Sequence, residues 1–371
     1  MQWTNSVQKL LEQYCFDEAS FASLREKFRA GTLSPSSAYI EAIPKPPLPD
    51  DLSTLPDAGT MEYLRLIKIG MQSIARGEVA SLILAGGMAT RFGGKVKALV
   101  PVRGGKTFAE VKMQALSKIA HDLDRPLPVW WMSSFATHET LQTWLDKHPF
   151  AGLNVSLFSQ GIAPRIFENG SYFDNGTNAR QSCYAPGHGD TLRSLKRSKL
   201  LKSFLAQGGR YLFISNVDNL CATLDPLIVG KHIDSGHALS CEVAQKHPGD
   251  QGGAPAWVRN RLQVVEGFRF PPSFNQDSIP VFSTNTFIAN AEALNMEYPL
   301  NWYAVRKNVD DHAVIQFEQL LGDLTSFIDT QFLLVSREGT DSRFEPMKTP
   351  AELEQRAPIV FDALKHRGIE L

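Results

Sequence analysis

The sequence predicts an α/β protein built on a mostly parallel sheet, and three observations carry that expectation. Short apolar runs recur at 81–87, 128–134, 154–160, 210–219 and 237–245. Amphipathic stretches at helical spacing lie between several of them, as at 107–120 and 191–205. The first run, SLILAGG, is continuously apolar and ends in paired glycines, as suits a strand buried on both faces whose loop opens a site. Strands alternating with helices imply crossover connections and a parallel sheet. Such sheets bind ligands beyond the carboxyl ends of their strands, so the residues following each run are the ones to inspect.

Before the first strand, residues 1–40 read as helical. Val7, Leu10, Leu11, Tyr14 and Cys15 recur at helical spacing, and Phe21, Leu24 and Phe28 continue the pattern. Prolines 44, 46, 47, 49 and 56 then force an extended connector over 43–59, because proline fixes its own φ and lacks a donor hydrogen. A second helix is expected over 61–76. The chain thus divides into an N-terminal helical segment (1–78), a main α/β domain (79–335) and a short C-terminal segment (336–371). The simplest role for the N-terminal helices is a cap on the sheet.

Composition narrows the function classes. Of 371 residues, 43% are hydrophobic and 21% charged, the balance of a folded globular chain, not a disordered or collagen-like one. Lys+Arg 38 against Asp+Glu 39 leaves a net charge of −1, so no general field favours nucleic acid and any phosphate chemistry needs a local site. No apolar stretch is long enough to span a bilayer. The opening residues acquire acids early, unlike a signal peptide. Cys15, Cys183, Cys221 and Cys241 are widely spaced, which fits reduced, mostly buried thiols and a cytoplasmic location.

Three loops carry chemistry. In LAGGMATRFGGKVK, Gly86 and Gly87 remove Cβ bulk where a nucleotide could approach the backbone, and Arg91, Lys95 and Lys97 follow. A glycine turn with surface bases accounts for that loop equally well. It is not GxGxxG, because Met88 takes the second glycine's place. It is not a P-loop either: Ala89 and Val100 stand where Gly94–Lys95 and Gly105–Lys106 would need glycine. In ISNVDNL, Asn216, Asp218 and Asn219 end a strand, where a carboxylate suits Mg²⁺ and also suits a plain turn. APGHGD places two glycines around His188 ahead of Arg193, Lys196, Arg197, Lys199 and Lys202, a run that reads as a solvated helix face. No GxSxG or HExxH occurs, and His232 and His237 are poorly spaced for a metal.

The order of these segments is more specific than any one of them. LAGG, FSQGIAPRI, PGHGD, YLFISNVDNL, GKH, CEVAQK with QGG, FSTNTF and SRFEPMKT together resemble the UTP–glucose-1-phosphate uridylyltransferases, or UDP-glucose pyrophosphorylases, across residues 81–350. The related UDP-N-acetylglucosamine and UDP-sugar pyrophosphorylases share the glycine loop and the VDN element. The resemblance implies a GT-A-like (Rossmann-like) nucleotide-diphospho-sugar transferase domain. It places Ala85, Gly86, Gly87 and Arg91 at the nucleotide, Gln160 on the uracil edge, and Gly187 and His188 between nucleotide and sugar. Asn216 would face the sugar phosphate, Asp218 would hold Mg²⁺, and Asn285 would bind the hexose. Glu242, Gly252 and Gly253 would line the sugar pocket, with Lys97 and Lys348 as the phosphate-binding lysines. Two departures stand out: Ala89 replaces a glycine, narrowing the loop's freedom, and Val96-Lys97 replaces Pro-Lys. Relatives from eukaryotes continue into a C-terminal β-helix used for assembly, so the ending at Leu371 implies a monomer or weak oligomer.

The reaction so implied is Mg²⁺-dependent and reversible: glucose 1-phosphate attacks the α-phosphorus of UTP in line, giving UDP-glucose and pyrophosphate. An already ionised phosphate attacks, so no general base is required, which agrees with the lack of any nucleophile–base motif. Another UDP-sugar specificity, or a non-catalytic nucleotide-sugar binder motivated by the two departures, remain alternatives at this stage. No nucleic-acid or membrane partner is expected.

Overall fold

The computed structural model describes residues 3–176, 178–247, 250 and 252–369; Gln251 of the QGG segment lies outside them. Eight strands make the central sheet: β1 (Leu52–Ser53), β2 (Val79–Leu84), β3 (Leu127–Ser133), β4 (Leu153–Ser159), β5 (Tyr211–Asn216), β6 (Leu239–Gln245), β7 (Val281–Asn290) and β8 (Thr330–Val335). Their order is β1-β8-β6-β7-β5-β2-β3-β4. All neighbours are parallel except β7, which runs antiparallel to both β5 and β6. The mixed, mostly parallel sheet expected from the apolar runs is therefore present.

The main helices are α1 (Asn5–Gln13), α2 (Glu18–Arg29), α3 (Met61–Ala75), α4 (Phe108–Ala120), α5 (His138–Lys147), α6 (Thr191–Ser198), α7 (Leu200–Ala206), α8 (Pro226–Ser235) and α9 (Pro350–His366). Strand alternation divides the apolar residues between two cores. Val79 and Ile83 of β2 join Phe108 and Leu116 of α4, Val229 of α8 and Val360 of α9. Ala80, Leu82 and Leu84 face the other way, onto Leu195 of α6 and Phe204 of α7. Every residue of β2 is consequently buried, which explains why all but Ser81 are apolar. Helix starts follow their local signals. Thr107 and Glu110 form a reciprocal capping box on α4, while Asp225 and Thr349 cap helices that begin with proline.

Three expectations change. The stretch 191–205 is two helices, because Lys199 adopts a left-handed φ of 61° and the Ser198 hydroxyl donates to Leu195 O and accepts from Leu200 N. The proline-rich connector is extended as expected, yet it is docked. Its Leu52 pairs in parallel with Phe332 at the sheet edge, and Trp257 Nε1 donates to Asp51 Oδ2 at 2.8 Å. The N-terminal helices do not cap the central sheet. Phe21 and Leu24 of α2 pack on Ile166, Ile315 and Phe317 of a small antiparallel sheet, and Val7 and Leu11 of α1 pack on Phe135, Ile162 and Cys183. No helix among the described residues is long and apolar enough to cross a membrane.

Helices α3 and α8 cross at two glycines. A Cβ on Gly70 would lie 1.9 Å from Pro226 O, and one on Gly230 would lie 1.9 Å from Leu66 O. Neither backbone can yield without separating the helices. Gly230→Ala is expected to destabilise the protein by about 1–3 kcal/mol or more, as overpacking does. Urea denaturation measures this; an unchanged midpoint would disprove the close crossing.

Candidate active site

The site gathers where the parallel strands end. After β2, Ala85 N–H donates to Met132 O at 2.8 Å, Ser134 Oγ donates to Gly86 O at 2.7 Å, and Thr137 Oγ1 donates to Ala85 O at 3.2 Å. The glycine loop is thus pinned from β3 by two hydroxyls that no sequence signal singled out. Beyond it, Met88–Ala89 and Lys95–Val96 pair as a hairpin whose turn uses Gly93 and Gly94 at φ 76° and 74°. Ala89 sits at φ −83°, an ordinary value for any L-residue, so its replacement of glycine does not restrict this loop. Arg91 is exposed on the hairpin, and a Cβ on Gly87 would meet nothing within 4 Å.

Gln160, just after β4, is 7% exposed and lies against that loop. A Cβ on Gly86 would fall 2.7 Å from Gln160 Nε2, so the amide occupies the room that glycine leaves. Gln160 Oε1 is buried and has no hydrogen-bond partner. The next residue, Gly161, donates its N–H to Asp190 Oδ2 at 2.7 Å. Asp190 also accepts from Ser194 Oγ at 2.7 Å and pairs with Arg193 at 3.2 Å and Arg197 at 3.8 Å. Two of the five bases of α6–α7 therefore hold a buried carboxylate and are not merely solvated, a correction that follows from Asp190 needing counter-charges once desolvated.

PGHGD packs on the segment before the Leu321–Ser326 turn. Gly187 has φ 87°, and Cβ atoms on Gly187 and Gly189 would fall 2.6 Å and 2.5 Å from Gln319 backbone atoms. Leu321 N–H donates to His188 Nδ1 at 2.9 Å, which leaves the proton on Nε2 and makes the ring a donor on its other side. Burial lowers the His188 pKa to about 4, so the imidazole is neutral at physiological pH.

After β5, Asp218 Oδ2 pairs with Lys97 Nζ, joining residues from the hairpin and the VDN loop. Val96-Lys97 thus delivers its lysine to the expected carboxylate. Asn285 Nδ2 donates to Asn216 Oδ1 at 3.0 Å; Asn285 adopts φ 55°, a conformation rare outside glycine. The C-terminal motif docks on the same loop: Asn219 Nδ2 donates to Arg343 O at 2.9 Å, Glu345 N–H to Asn219 Oδ1 at 3.2 Å, and Met347 N–H to Asp218 O at 3.4 Å. Lys348 is the next residue. It is exposed, and its ammonium makes no hydrogen bond or ion pair among the described residues.

Glu242 requires a correction. It is 1% exposed, and both carboxylate oxygens accept from Arg343, at 2.9 and 2.6 Å. It faces the core, so it is a structural counter-ion, not a sugar-pocket residue. The carboxyl beside Gly253 is that of Glu266, whose Oε1 would lie 3.0 Å from a Gly253 Cβ. Burial, with Asp323 nearby, raises Glu266 to about 7. Ser283 N–H donates to Gly253 O at 2.8 Å, tying that wall to the strand bearing Asn285, while Gly252 is exposed. Among the described residues, no group of three or more His, Cys, Asp or Glu could hold a metal by itself. A single carboxylate such as Asp218 nonetheless fits Mg²⁺, which takes one or two carboxylates plus substrate oxygens and water. The buried thiols of Cys183, Cys221 and Cys241 are raised by burial to about 12, 11 and 12, so they are unreactive; Cys15 is exposed.

Fold and site together define a three-layer α/β protein whose parallel strands end at a pinned glycine loop, a buried amide with an unfilled acceptor and a lysine–carboxylate pair. Residues 48–357 match the family described as UTP--glucose-1-phosphate uridylyltransferase, and the chain belongs to that family. A protein of that name from Musa acuminata is 30% identical over 295 residues, covering 74% of this chain and 62% of the relative. One from Hordeum vulgare is 30% identical over 73% of this chain and 60% of its own length. The chain therefore spans about three fifths of these relatives. The crystal structure of a UDP-glucose phosphorylase from Trypanosoma brucei has the same fold, with TM-score 0.74 and 24% identity over 94% of this chain and 77% of that one.

The depressed pKa of His188 has a defined sign. The unfolded chain takes up the proton first, so stability is complete above the ordinary value of about 6.5 and falls as pH drops toward the folded value. An imidazole NMR titration, assigned with His188→Gln, should place His188 at about 4. A midpoint at the ordinary histidine value would contradict the buried acceptor geometry.

Proposed function

We propose that this chain is a UTP–glucose-1-phosphate uridylyltransferase, making UDP-glucose and pyrophosphate reversibly. The observation that carries the reading is Gln160: a buried carboxamide with an unfilled acceptor, pressed against Gly86. An acceptor left so costs about 1–3 kcal/mol. A uracil edge, with its N–H between two carbonyls, is the complement of a carboxamide and would satisfy it. Family membership and the shared fold support the same assignment.

Lys97 and Lys348 would take the phosphates, and His188 Nε2–H is a neutral donor on the same route. Once phosphate oxygens engage Lys97, the Asp218 carboxylate that now pairs with it becomes available to hold Mg²⁺. That ion, when bound, would add positive charge at the phosphate oxygens. A glucose 1-phosphate oxygen bonds to the α-phosphorus as the bond to the bridging oxygen of pyrophosphate breaks. The attacker is ionised near neutral pH, so the side chains here position and neutralise, and none needs to remove a proton. Asn216, fixed by Asn285, would meet the sugar phosphate, with Gly253 and Glu266 forming the hexose wall.

Pyrophosphate release from UTP, Mg²⁺ and glucose 1-phosphate is the direct test, with EDTA abolishing it. Asp218→Asn and Lys97→Ala should each lower kcat by about 10²–10³, the usual loss of one preorganised charge. Gly86→Ala, which pushes on Gln160, should raise the KM for UTP more than that for the sugar. A folded protein that releases no pyrophosphate with any hexose 1-phosphate overturns this reading.

A further inference from the structure

We propose that Lys112 is a positioning residue for this reaction: from within the core it holds the loop bearing Asn216 and Asp218 in its working shape. The proposal rests on the functional reading above. Lys112 lies on α4, 4% exposed, and reaches under the sheet to the loop. Its ammonium donates to Ala222 O at 2.7 Å and to Ser215 Oγ at 3.2 Å. These partners bracket Asn216 and Asp218 in sequence, so one side chain fixes both ends of the segment.

Neither of those bonds goes to a carboxylate. Burial, aided by the positive charge of Arg343, pulls the Lys112 pKa down to about 7. Keeping an amine in this environment is unfavourable, whereas methionine or leucine would suit a helix core without that penalty. What the amine holds explains its presence. Two neighbours extend the pattern: Arg367 Nη1 donates to Cys221 O at 2.8 Å and Arg343 Nη2 to Thr223 O at 3.1 Å. Three consecutive carbonyls, 221–223, thus end on cations, and their negative ends are kept away from a site that must receive phosphates. Arg343 and Arg367 also bind Glu242 and Ser342 O. Lys112 binds only this segment, so its substitution isolates the effect.

Lys112→Met keeps the apolar stem and removes every donor. Its kcat should fall about 10–100-fold, the loss typical when outer support of a charged site is removed. The KM for UTP should change less than about 2-fold, because the bonds of Gly86, Ser134 and Gln160 do not involve Lys112. Backbone hydrogen exchange should rise at 215–223 and stay unchanged at 85–97. Lys112→Gln, which retains a donor, should recover part of kcat. A kcat within about 2-fold of wild type, an equal rise in the KM for UTP, or unchanged exchange at 215–223 each overturns the proposal. Should Lys112→Met not fold, Ser215→Ala removes one partner without emptying the core; a clear fall in kcat supports the role and an unchanged kcat overturns it. Wild-type protein without pyrophosphate release overturns the functional reading alone, and the exchange measurement then decides for Lys112.

Discussion

The buried ion pair between Arg343 and Glu242 is the constraint on which the site depends. Arg343 is 3% exposed, and its guanidinium spans both Glu242 oxygens and Thr223 O while its own carbonyl accepts from Asn219. One residue thereby joins the C-terminal segment, β6 and the loop after β5. Charges this deep persist only with well-aligned partners, and stripping one partner from such a pair typically costs about 3–5 kcal/mol. The geometry has little freedom to relax. Because Arg343 is fixed, the backbone that follows it runs beside Asp218, where Met347 N–H donates to Asp218 O.

Charge is deployed locally in a chain with almost none overall. The formal charge is −1, yet Lys97 pairs with Asp218 at the VDN loop, and Lys112, Arg343 and Arg367 donate to consecutive carbonyls beneath it. In a low-dielectric setting such charges act far more strongly than on the surface. Lys97 and Asp218 satisfy each other. Neutral groups do the rest: His188 is held uncharged by burial, and Gln160 presents an amide that no side chain completes.

Close approach is the second physical theme. Gly86 leaves room for the Gln160 amide, Gly187 and Gly189 let the His188 loop lie on Gln319, and Gly70 with Gly230 brings two helices into backbone contact. In each case a single Cβ would occupy space already filled. Ala89 makes the contrasting point. Its backbone keeps a negative φ, so no glycine is required at this position.

The sequence by itself determined the parallel α/β framework, since strands buried on both faces must be apolar throughout and helices between them must be amphipathic. It also pointed to the residues after the strand ends, and the structure brings Gln160 against Gly86 and Lys97 onto Asp218 there. It missed the hydrogen bonds that Ser134, Thr137, Asp190 and Lys112 make with backbone atoms, which no local pattern records. Glu242 was misread for the same reason. A carboxylate on a strand looks alike in sequence whether it faces a cleft or an arginine 101 residues away. Only the tertiary structure decided that Glu242 turns inward and Glu266 lies beside Gly253, and that helix α2 packs on the small sheet and not the large one. Those outcomes depend on which surfaces meet, a long-range matter of burial and charge pairing that periodicity along the chain does not encode.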